Sequence, residues 1–349
     1  MTATLRIVDP GLNTTVQDAL GRRGYWMVGV PPSGAMDDRS LRLANRVVGN
    51  RPDAAGLECT VNGPTIHFEG AAVVTVGGAP VAPTLDGKPV APWTPLEVAA
   101  GSELAVGARL GAGMRVYVAV RGGLDVPVVL GSRATFDLGR FGGHQGRALE
   151  AGDVLAIGDA VGSRVPSPLP PSLWPDISGS WEISVTEGPH AAPAYLTREG
   201  FERLLDAEWT VQRHAARSGV RLDGPTPEWA RPDGGEAGLH PSNIHDNGYA
   251  FGAVDFTGDT PVILGPDGPS LGGFTCPAVV IAGERWKLGQ LAPGDRVRLV
   301  PVSVEVARGI AEADDDLVER LRAPVVGSRR SATPARDGGV LERVEAGER

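Results

Sequence analysis

The segment from His240 to Asp259, HPSNIHDNGYAFGAVDFTGD, concentrates side chains that could act as acids, bases or ligands. Two of the chain's six histidines, His240 and His245, lie five positions apart here, and Asp246 follows directly. This spacing allows a metal site, but no third ligand stands at a spacing familiar from zinc proteins. The same residues also suit a tight loop in which Asn243 bonds to nearby backbone. The third interpretation is a polar site for a small hydrogen-bonding substrate.

The substrate-site interpretation assigns chemical roles along this segment. The imidazole of His245 would be tuned by the neighbouring Asp246, while Asp255 or Asp259 would accept hydrogen bonds from substrate N–H groups. We therefore predict His245, Asp246 and Asp255 as catalytic residues. We expect no bound metal ion. The predicted substrate-binding residues of this segment are His240, Asn243 and Asp259.

Two further runs could complete such a site. In GPDGPSLGGF, from Gly265 to Phe274, residues without a side chain would let a ligand approach the backbone, and consecutive N–H groups could bind an anion. The run lacks the Gly-Lys-Ser/Thr of a phosphate-binding loop, and a wide turn between strands is the alternative. A polar run that begins at Gly11 contains other candidate hydrogen-bonding residues. The further predicted substrate-binding residues are Asp267, Gly272, Gly273, Gln17 and Asp18.

Composition argues against several classes of protein. The net charge of −9 and the lack of a run of Lys and Arg argue against nucleic-acid binding. Two cysteines, Cys59 and Cys276, cannot form a disulfide framework, and there is no Gly-x-Ser-x-Gly motif to indicate a serine nucleophile. The longest apolar stretch, which begins at Ala71, is interrupted by Gly and Pro and is too short to span a membrane. We therefore expect a cytoplasmic protein.

The elements that would position these residues are mainly short strands. The 49 glycines and 30 prolines separate short runs rich in β-branched residues, which is typical of a mostly β fold. Helices are predicted near Asp37, which can cap a helix N-terminus, from Thr197, and in a third segment near the C-terminus. Similar patterns of strand, glycine-rich loop and Gly-Asp turn at 128–158 and 262–300 indicate two related barrel-like halves, unless they only reflect common turn types.

The predicted organisation is two β-barrel-like modules with a few short helices. A segment rich in Pro and Ser, which begins at Val161, is the best candidate for a linker because it shows no periodicity. The predicted parts are an N-terminal β module at 1–160, the linker at 161–180, a C-terminal β-barrel module at 181–305, and a C-terminal helix with a flexible tail at 306–349.

Long motifs in the chain resemble one known family. The run TTVQDALGRRGYWMVGVPPSGAMDDRSLRLANRVVGN, together with AAGLECTVNGPTIHF, is similar to the opening of the allophanate hydrolase subunit 2 family. The run GGEAGLHPSNIHDNGYAFGAVDFTGDTPVILGPDGPSLGGFTCPAVV, with WKLGQLAPGD, resembles its urea carboxylase branch. The resemblance extends from about Ile7 to Val300. The family also contains a component of bacterial 5-oxoprolinase and the partner of a sporulation-kinase inhibitor.

The resemblance implies a carboxyltransferase of cyclophilin-like β-barrel modules that moves a carboxyl group from carboxybiotin to urea or guanidine. The biotin cofactor would be carried by a partner. We expect a biotin carboxylase, a biotin carrier protein and a subunit-1 family protein on other polypeptides. The alternatives are the C component of 5-oxoprolinase and a non-catalytic regulatory protein. Members that resemble urea carboxylases often carry Asn where this chain has Asp255. Because a carboxylate can bind the guanidinium cation through charge-assisted hydrogen bonds, Asp255 makes guanidine an alternative acceptor to urea.

Overall fold

Twenty strands and three α-helices form the part of the chain that the computed structural model describes, which is residues 3–160 and 165–321. The first eleven strands are β1 (Thr4–Asp9), β2 (Asn13–Gln17), β3 (Gly56–Thr60), β4 (Thr65–Phe68), β5 (Ala72–Gly78), β6 (Thr84–Leu85), β7 (Lys88–Pro89), β8 (Leu96–Val98), β9 (Glu103–Ala105), β10 (Arg115–Val120) and β11 (Val154–Ala156). The remaining strands are β12 (Ser180–Glu187), β13 (Trp209–Val211), β14 (Gly219–Asp223), β15 (Asn243–Gly248), β16 (Ala253–Thr257), β17 (Thr260–Leu264), β18 (Leu271–Phe274), β19 (Ala278–Val280) and β20 (Arg296–Pro301). The α-helices are α1 (Asp38–Val47), α2 (Arg198–Asp206) and α3 (Val304–Arg320), and short 3-10 segments occupy Trp26–Val28, Pro171–Leu173, Gly235–Ala237 and Ala282–Gly289. The prediction of a mostly β fold with a few helices is confirmed.

The N-terminal half consists of two sheets that share one apolar core. One sheet has the order β11-β1-β4-β9-β6-β7 and the other has the order β2-β3-β10-β5-β8. Ile7 and Phe68 from the first sheet and Val76 from the second are buried in this core. Every residue of β10 is buried because one face of the strand lines the core and the other lies under α1, where Tyr117 contacts Leu41.

The C-terminal half contains a closed barrel of seven strands in the order β12-β19-β16-β17-β14-β13-β20. The parallel pairing of β12 with β20 closes it. Trp181, Ile183 and Val185 alternate along β12 and point into the barrel core, as the two-residue period of a strand requires. The barrel predicted for this half is confirmed. The strands β15 and β18 form a separate two-stranded sheet.

The predicted helix starts are confirmed by their capping hydrogen bonds. The Asp37 carboxylate accepts the Ser40 N–H at 2.8 Å at the start of α1, and the Thr197 hydroxyl accepts the Gly200 N–H at 2.9 Å at the start of α2. The third helix, α3, begins at Val304, two residues before the predicted C-terminal part. The predicted flexible tail lies outside the described residues from 322 onwards.

The repeated pattern at 128–158 and 262–300 builds different elements in the two halves. The range of the second copy contains β17, β18, β19 and β20, whereas the first contains only β11 as a strand. Val128 and Leu130 are exposed and lie outside any described strand, so the strand predicted to end there is absent. Residues 161–164 of the predicted linker lie outside the described part, and the module boundaries stay a prediction. None of the described helices is both long and apolar enough to cross a bilayer.

Candidate functional site

The polar segment and the glycine-rich segment pair with each other in the two-stranded ribbon β15–β18. The strands are antiparallel, with Asn243 opposite Phe274 and Asn247 opposite Gly272, and the register shifts between these two pairs. Strand pairing therefore brings together the two segments that the sequence analysis assigned to one site, although 23 to 31 positions separate the paired residues. We call this pair of strands the ribbon.

Asp255 lies on the face of β16 that points away from the barrel core. Val254 and Phe256 point into the core, whereas Tyr249 and Cys276 belong to a second apolar cluster. The Asp255 side chain is 3% exposed, and its Oδ1 has no hydrogen-bond partner among the described residues. Burial raises the pKa of Asp255 to about 7, although a hydrogen bond with Cys276 opposes the shift. A buried carboxyl group with an unused acceptor oxygen is therefore present beside the ribbon.

The other two predicted catalytic residues lie on the exposed part of the ribbon. His245 and Asp246 are both exposed on β15, in contrast to the buried Asp255. Burial raises the pKa of the Tyr249 hydroxyl, and the charges of Asp255 and Asp246 raise it further. Asp255 and Asp246 thus both act on the pKa of the Tyr249 hydroxyl. The structure describes no contact between His245 and Asp255.

His240, Asn243 and Asp259 belong to a polar cluster at the edge of the ribbon. Nδ1 of His240 lies 2.9 Å from the Ser242 hydroxyl, and Nε2 lies 3.5 Å from Oδ1 of Asp259. The same Asp259 oxygen accepts the indole N–H of Trp229 at 2.9 Å, and the Asn243 amide donates to a backbone carbonyl at 3.0 Å. These side chains therefore have protein partners. Within the described ranges, no group of three or more His, Cys, Asp or Glu is arranged to hold a metal.

Asp267 takes part in an ion-pair network that joins the two halves of the chain. Its carboxylate lies 2.7 Å from Nε of Arg217, whose other nitrogens donate to Glu58 at 2.6 Å and to the Gly34 carbonyl at 2.7 Å. Burial opposes ionisation of Glu58, but Arg217 and Arg115 together hold its pKa below the usual value. Asp267 therefore has a protein cation as its partner, and it anchors the glycine-rich loop to the N-terminal half.

Gln17 and Asp18 lie in the N-terminal half and organise its loops. The buried Gln17 amide donates to the Thr15 hydroxyl at 3.0 Å and to the Thr135 carbonyl at 3.2 Å. The Asp18 carboxylate accepts three hydrogen bonds of 2.7 to 2.8 Å from the surrounding loops and borders a cavity of about 690 Å³. The structure therefore gives both residues protein partners and does not place them on the ribbon.

Two hydrogen bonds join the polar N-terminal run to the segments that flank the ribbon. The indole N–H of Trp26 donates to the Tyr249 carbonyl, and the Ser33 N–H donates to the Pro266 carbonyl at 2.9 Å.

The model of the family described as "Carboxyltransferase domain, subdomain A and B" matches residues 28–301, which include both the ribbon and the barrel. The chain belongs to this carboxyltransferase domain family. The family resemblance found in the sequence is thereby confirmed.

Relatives of this carboxyltransferase domain include much longer proteins. This chain is 49% identical over 325 residues to the urea amidolyase of Lachancea kluyveri, and the match covers 90% of this chain and 18% of that protein. It is 32% identical to the C component of the Escherichia coli 5-oxoprolinase, covering 87% of this chain and 93% of that protein. The crystal structure of the Kluyveromyces lactis urea carboxylase matches with a TM-score of 0.88 and 46% identity, covering 93% of this chain and 30% of that chain. The chain thus spans about a fifth of the urea amidolyase.

Tyr249 is the residue of the carboxyltransferase domain that the sequence analysis did not select. Its hydroxyl donates to the Phe274 carbonyl at 2.9 Å and accepts the Phe274 N–H at 2.6 Å, which holds the two strands of the ribbon together. A Cβ at Gly272 would lie 2.5 Å from the Tyr249 ring, and one at Gly273 would lie 2.9 Å from the Ile244 carbonyl. Both glycines therefore make room for the ribbon itself. The available signal was the single tyrosine of the run from His240 to Asp259, which also contains Phe251 and Phe256.

Proposed function

We propose that this chain is the component of a biotin-dependent carboxyltransferase that transfers a carboxyl group from carboxybiotin to urea or guanidine. Family membership and the 49% identity to a urea amidolyase support the reaction class. The observation that carries the acceptor assignment is the buried Asp255 carboxyl group with its unused Oδ1. Biotin would supply the activated carboxyl group from a carrier held by a partner.

Asp255 has the chemistry needed to hold a flat acceptor that presents N–H groups. Urea and guanidinium are planar, and a carboxylate can accept one or two of their hydrogen bonds. The oxygen is buried, so the electrostatic part of such a bond is stronger than it would be in water. Entry of the acceptor would require the ribbon to move away from β16, since Tyr249 closes this side in the structure.

The position of the Asp255 pKa also suits proton transfer. The acceptor nitrogen must lose a proton when it is carboxylated, and a general base is most effective when its pKa lies near the working pH. The pKa of Asp255 is raised to about 7 by burial, so its ionised form would be available to take that proton at Oδ1 and pass it on to the biotin nitrogen that gives up the carboxyl group. A bound guanidinium would favour the ionised form further because opposite charges attract.

Asp255 favours guanidine over urea as the acceptor. Guanidine is a cation at neutral pH, and a charge-assisted hydrogen bond is roughly twice as strong as a neutral one. The urea carboxylase-like members of the resembled family often have Asn at this position, which offers no charge. In the reconstituted enzyme, Asp255→Asn should lower the ratio of kcat/KM for guanidine to that for urea by about tenfold or more. Asp223→Asn, at an exposed position at the end of β14, is the matched control. An unchanged ratio in Asp255→Asn would show that this carboxylate does not choose the acceptor.

The partners that we propose are a subunit-1 family protein, a biotin carboxylase and a biotin carrier protein. This proposal rests on family membership and on the similarity to one part of a urea amidolyase and of a urea carboxylase. The decisive experiment is co-expression with a subunit-1 protein and the biotin components, followed by measurement of acceptor-dependent ATP hydrolysis. Stimulation by guanidine or urea would support the proposal. The absence of stimulation by any acceptor in a biotinylated, assembled complex would contradict it.

A second candidate function is that of the C component of 5-oxoprolinase. The observation in its favour is the 32% identity over 307 residues to the Escherichia coli protein. The same ATP hydrolysis assay separates the two candidates, since 5-oxoproline would then stimulate the reaction and guanidine and urea would not. An acceptor with a lactam and a carboxylate would not need the positive-charge selectivity that Asp255 provides.

A further inference from the structure

A cavity of about 360 Å³ lies where the two halves of the chain meet, apart from the ribbon and Asp255. Its walls come from the N-terminal loop, α1, the 3-10 segment Ala282–Gly289 and α3, and from Phe251 just before β16. This volume falls in the range of pockets that bind small molecules. The residues that matter for its chemistry are Arg23, Ser33, Phe251 and Arg285.

Arg285 is a cation in this cavity wall without a paired carboxylate in the described part of the chain. Its guanidinium stacks over Phe251, 5.4 Å from the ring centroid, and its buried Nε has no hydrogen-bond partner among the described residues. Burial lowers the pKa of Arg285, although the charge of Asp38 opposes the shift. A half-buried guanidinium without an acceptor is costly, so an anion bound beside it would stabilise the folded chain.

The carboxylates in the opposite wall are already engaged by other arginines. Asp314 lies 2.8 Å from Arg39 and 3.1 Å from Arg42, and Arg42 also lies 2.6 Å from Asp315 and 3.7 Å from Asp38. These side chains therefore form a network of their own that holds α1 against α3. The charge of Asp38 still reaches Arg285, but none of these three carboxylates forms an ion pair with Arg285 in the described part of the chain.

Two more groups in the wall lack partners. Arg23 is exposed and forms no described hydrogen bond or ion pair, and the Ser33 hydroxyl is buried without a hydrogen-bond partner in the resolved ranges 3–160 and 165–321. Arg23, Ser33 and Arg285 thus present donors without acceptors around one cavity. Three arginines and three aspartates line the cavity, but Arg42 and Arg39, which lies behind the wall, pair with the aspartates, so Arg23 and Arg285 are the two lining cations without an ion pair in the described ranges.

We propose that this cavity binds a small carboxylate anion. Arg285 and Arg23 would pair with the carboxylate oxygens, the Ser33 hydroxyl would donate a hydrogen bond, and Phe251 would cover the apolar part of the ligand. A carboxylate fits better than a phosphate because it is planar and carries one charge. The inference does not depend on the acceptor of the proposed carboxyl transfer, since it concerns binding alone.

Titration calorimetry of the full chain with sodium acetate tests the proposal, with inorganic phosphate as the comparison anion. The unmodified protein should bind one acetate with a Kd of about 1 mM or lower. Arg285→Met keeps much of the apolar stem and removes the charge, so it should weaken binding by about tenfold or more. Arg213→Met changes an exposed arginine outside the cavity wall and should leave the Kd unchanged.

Three results would overturn the proposal. The first is that the unmodified chain shows no saturable binding at acetate concentrations up to about 10 mM. The second is that phosphate binds more tightly than acetate. The third is that Arg285→Met binds acetate with the same Kd as the unmodified chain. Circular dichroism would show whether Arg285→Met folds. If it does not, Arg23→Met replaces it, because Arg23 is exposed, and a severalfold loss of acetate affinity is then the expected result and an unchanged Kd the contradicting one.

Discussion

Replacement of Arg217 by methionine should destabilise the chain more than any single surface substitution. Arg217 is the only cation that contacts both Asp267 and Glu58 in the described structure, at 2.7 Å and 2.6 Å, and the Glu58 side chain is 1% exposed. Methionine keeps the apolar stem but leaves both carboxylates without this partner. Removal of one member of a buried ion pair costs about 3–5 kcal/mol of unfolding free energy, because the remaining charge stays buried.

The pH dependence of this loss has a definite sign. In the unmodified chain the pKa of Glu58 is held low, so its ion pairs contribute stability above the unfolded-state pKa and lose it as the pH falls through the folded-state pKa. Without Arg217, burial dominates and raises the pKa of Glu58 above its present value. The ionised form is then the unfavourable one, so the deficit of the variant should be larger at about pH 8 than at about pH 5.

The assay is thermal unfolding of the unmodified chain and of Arg217→Met at both pH values. We expect a fall in Tm on the order of 5–10 °C at the higher pH. Arg203→Met is the matched control, because its partner Glu228 is half-exposed and such a surface pair contributes about 0–1 kcal/mol. The double variant Arg217→Met/Glu58→Gln should recover part of the loss. A deficit as small as that of the control, or one equal at both pH values, would refute the reasoning.

Two other substitutions test the packing around the ribbon. Because burial raises the pKa of Asp255 to about 7, its neutral form stabilises the fold at low pH, and that contribution is lost as the pH rises through about 7. The Tm of Asp255→Asn should therefore rise relative to that of the unmodified chain between about pH 5 and about pH 8. A Tm difference that is the same at both pH values would argue against the burial explanation. Gly272→Ala places a Cβ 2.5 Å from the Tyr249 ring and should cost about 1–3 kcal/mol in thermal unfolding, whereas Gly248→Ala, with no atom within 4 Å, should be nearly neutral.

Local features of the fold were predictable because neighbours in sequence decide them. Asp37 and Thr197 each accept a backbone N–H three residues later, which is a contact that the residue types alone indicate. Alternating apolar residues and turn formers likewise marked the strands. The first copy of the repeated pattern was misleading, since a short apolar run becomes a strand only where another strand is available to pair with it.

The candidate site was predictable as two segments but not as a geometry. The polar and glycine-rich runs do form one ribbon, yet the exposure of His245 and Asp246 and the burial of Asp255 depend on which face each strand presents. Tyr249 also escaped notice, because its role consists of hydrogen bonds to a backbone 25 positions away. Side-chain burial is a property of the packed neighbours, and periodicity cannot report it for a segment that lies outside the main barrel.

The amino-acid sequence by itself determined the family, the mostly β composition and the helix starts, since long motifs and local hydrogen bonds carry that information. Only the tertiary structure decided that Asp267 is bound by Arg217, 50 positions away, and that Asp255 has a raised pKa under the ribbon. The physical reason is that ion pairing and desolvation depend on distances in space. Those distances are set by barrel closure and by the contact between the two halves.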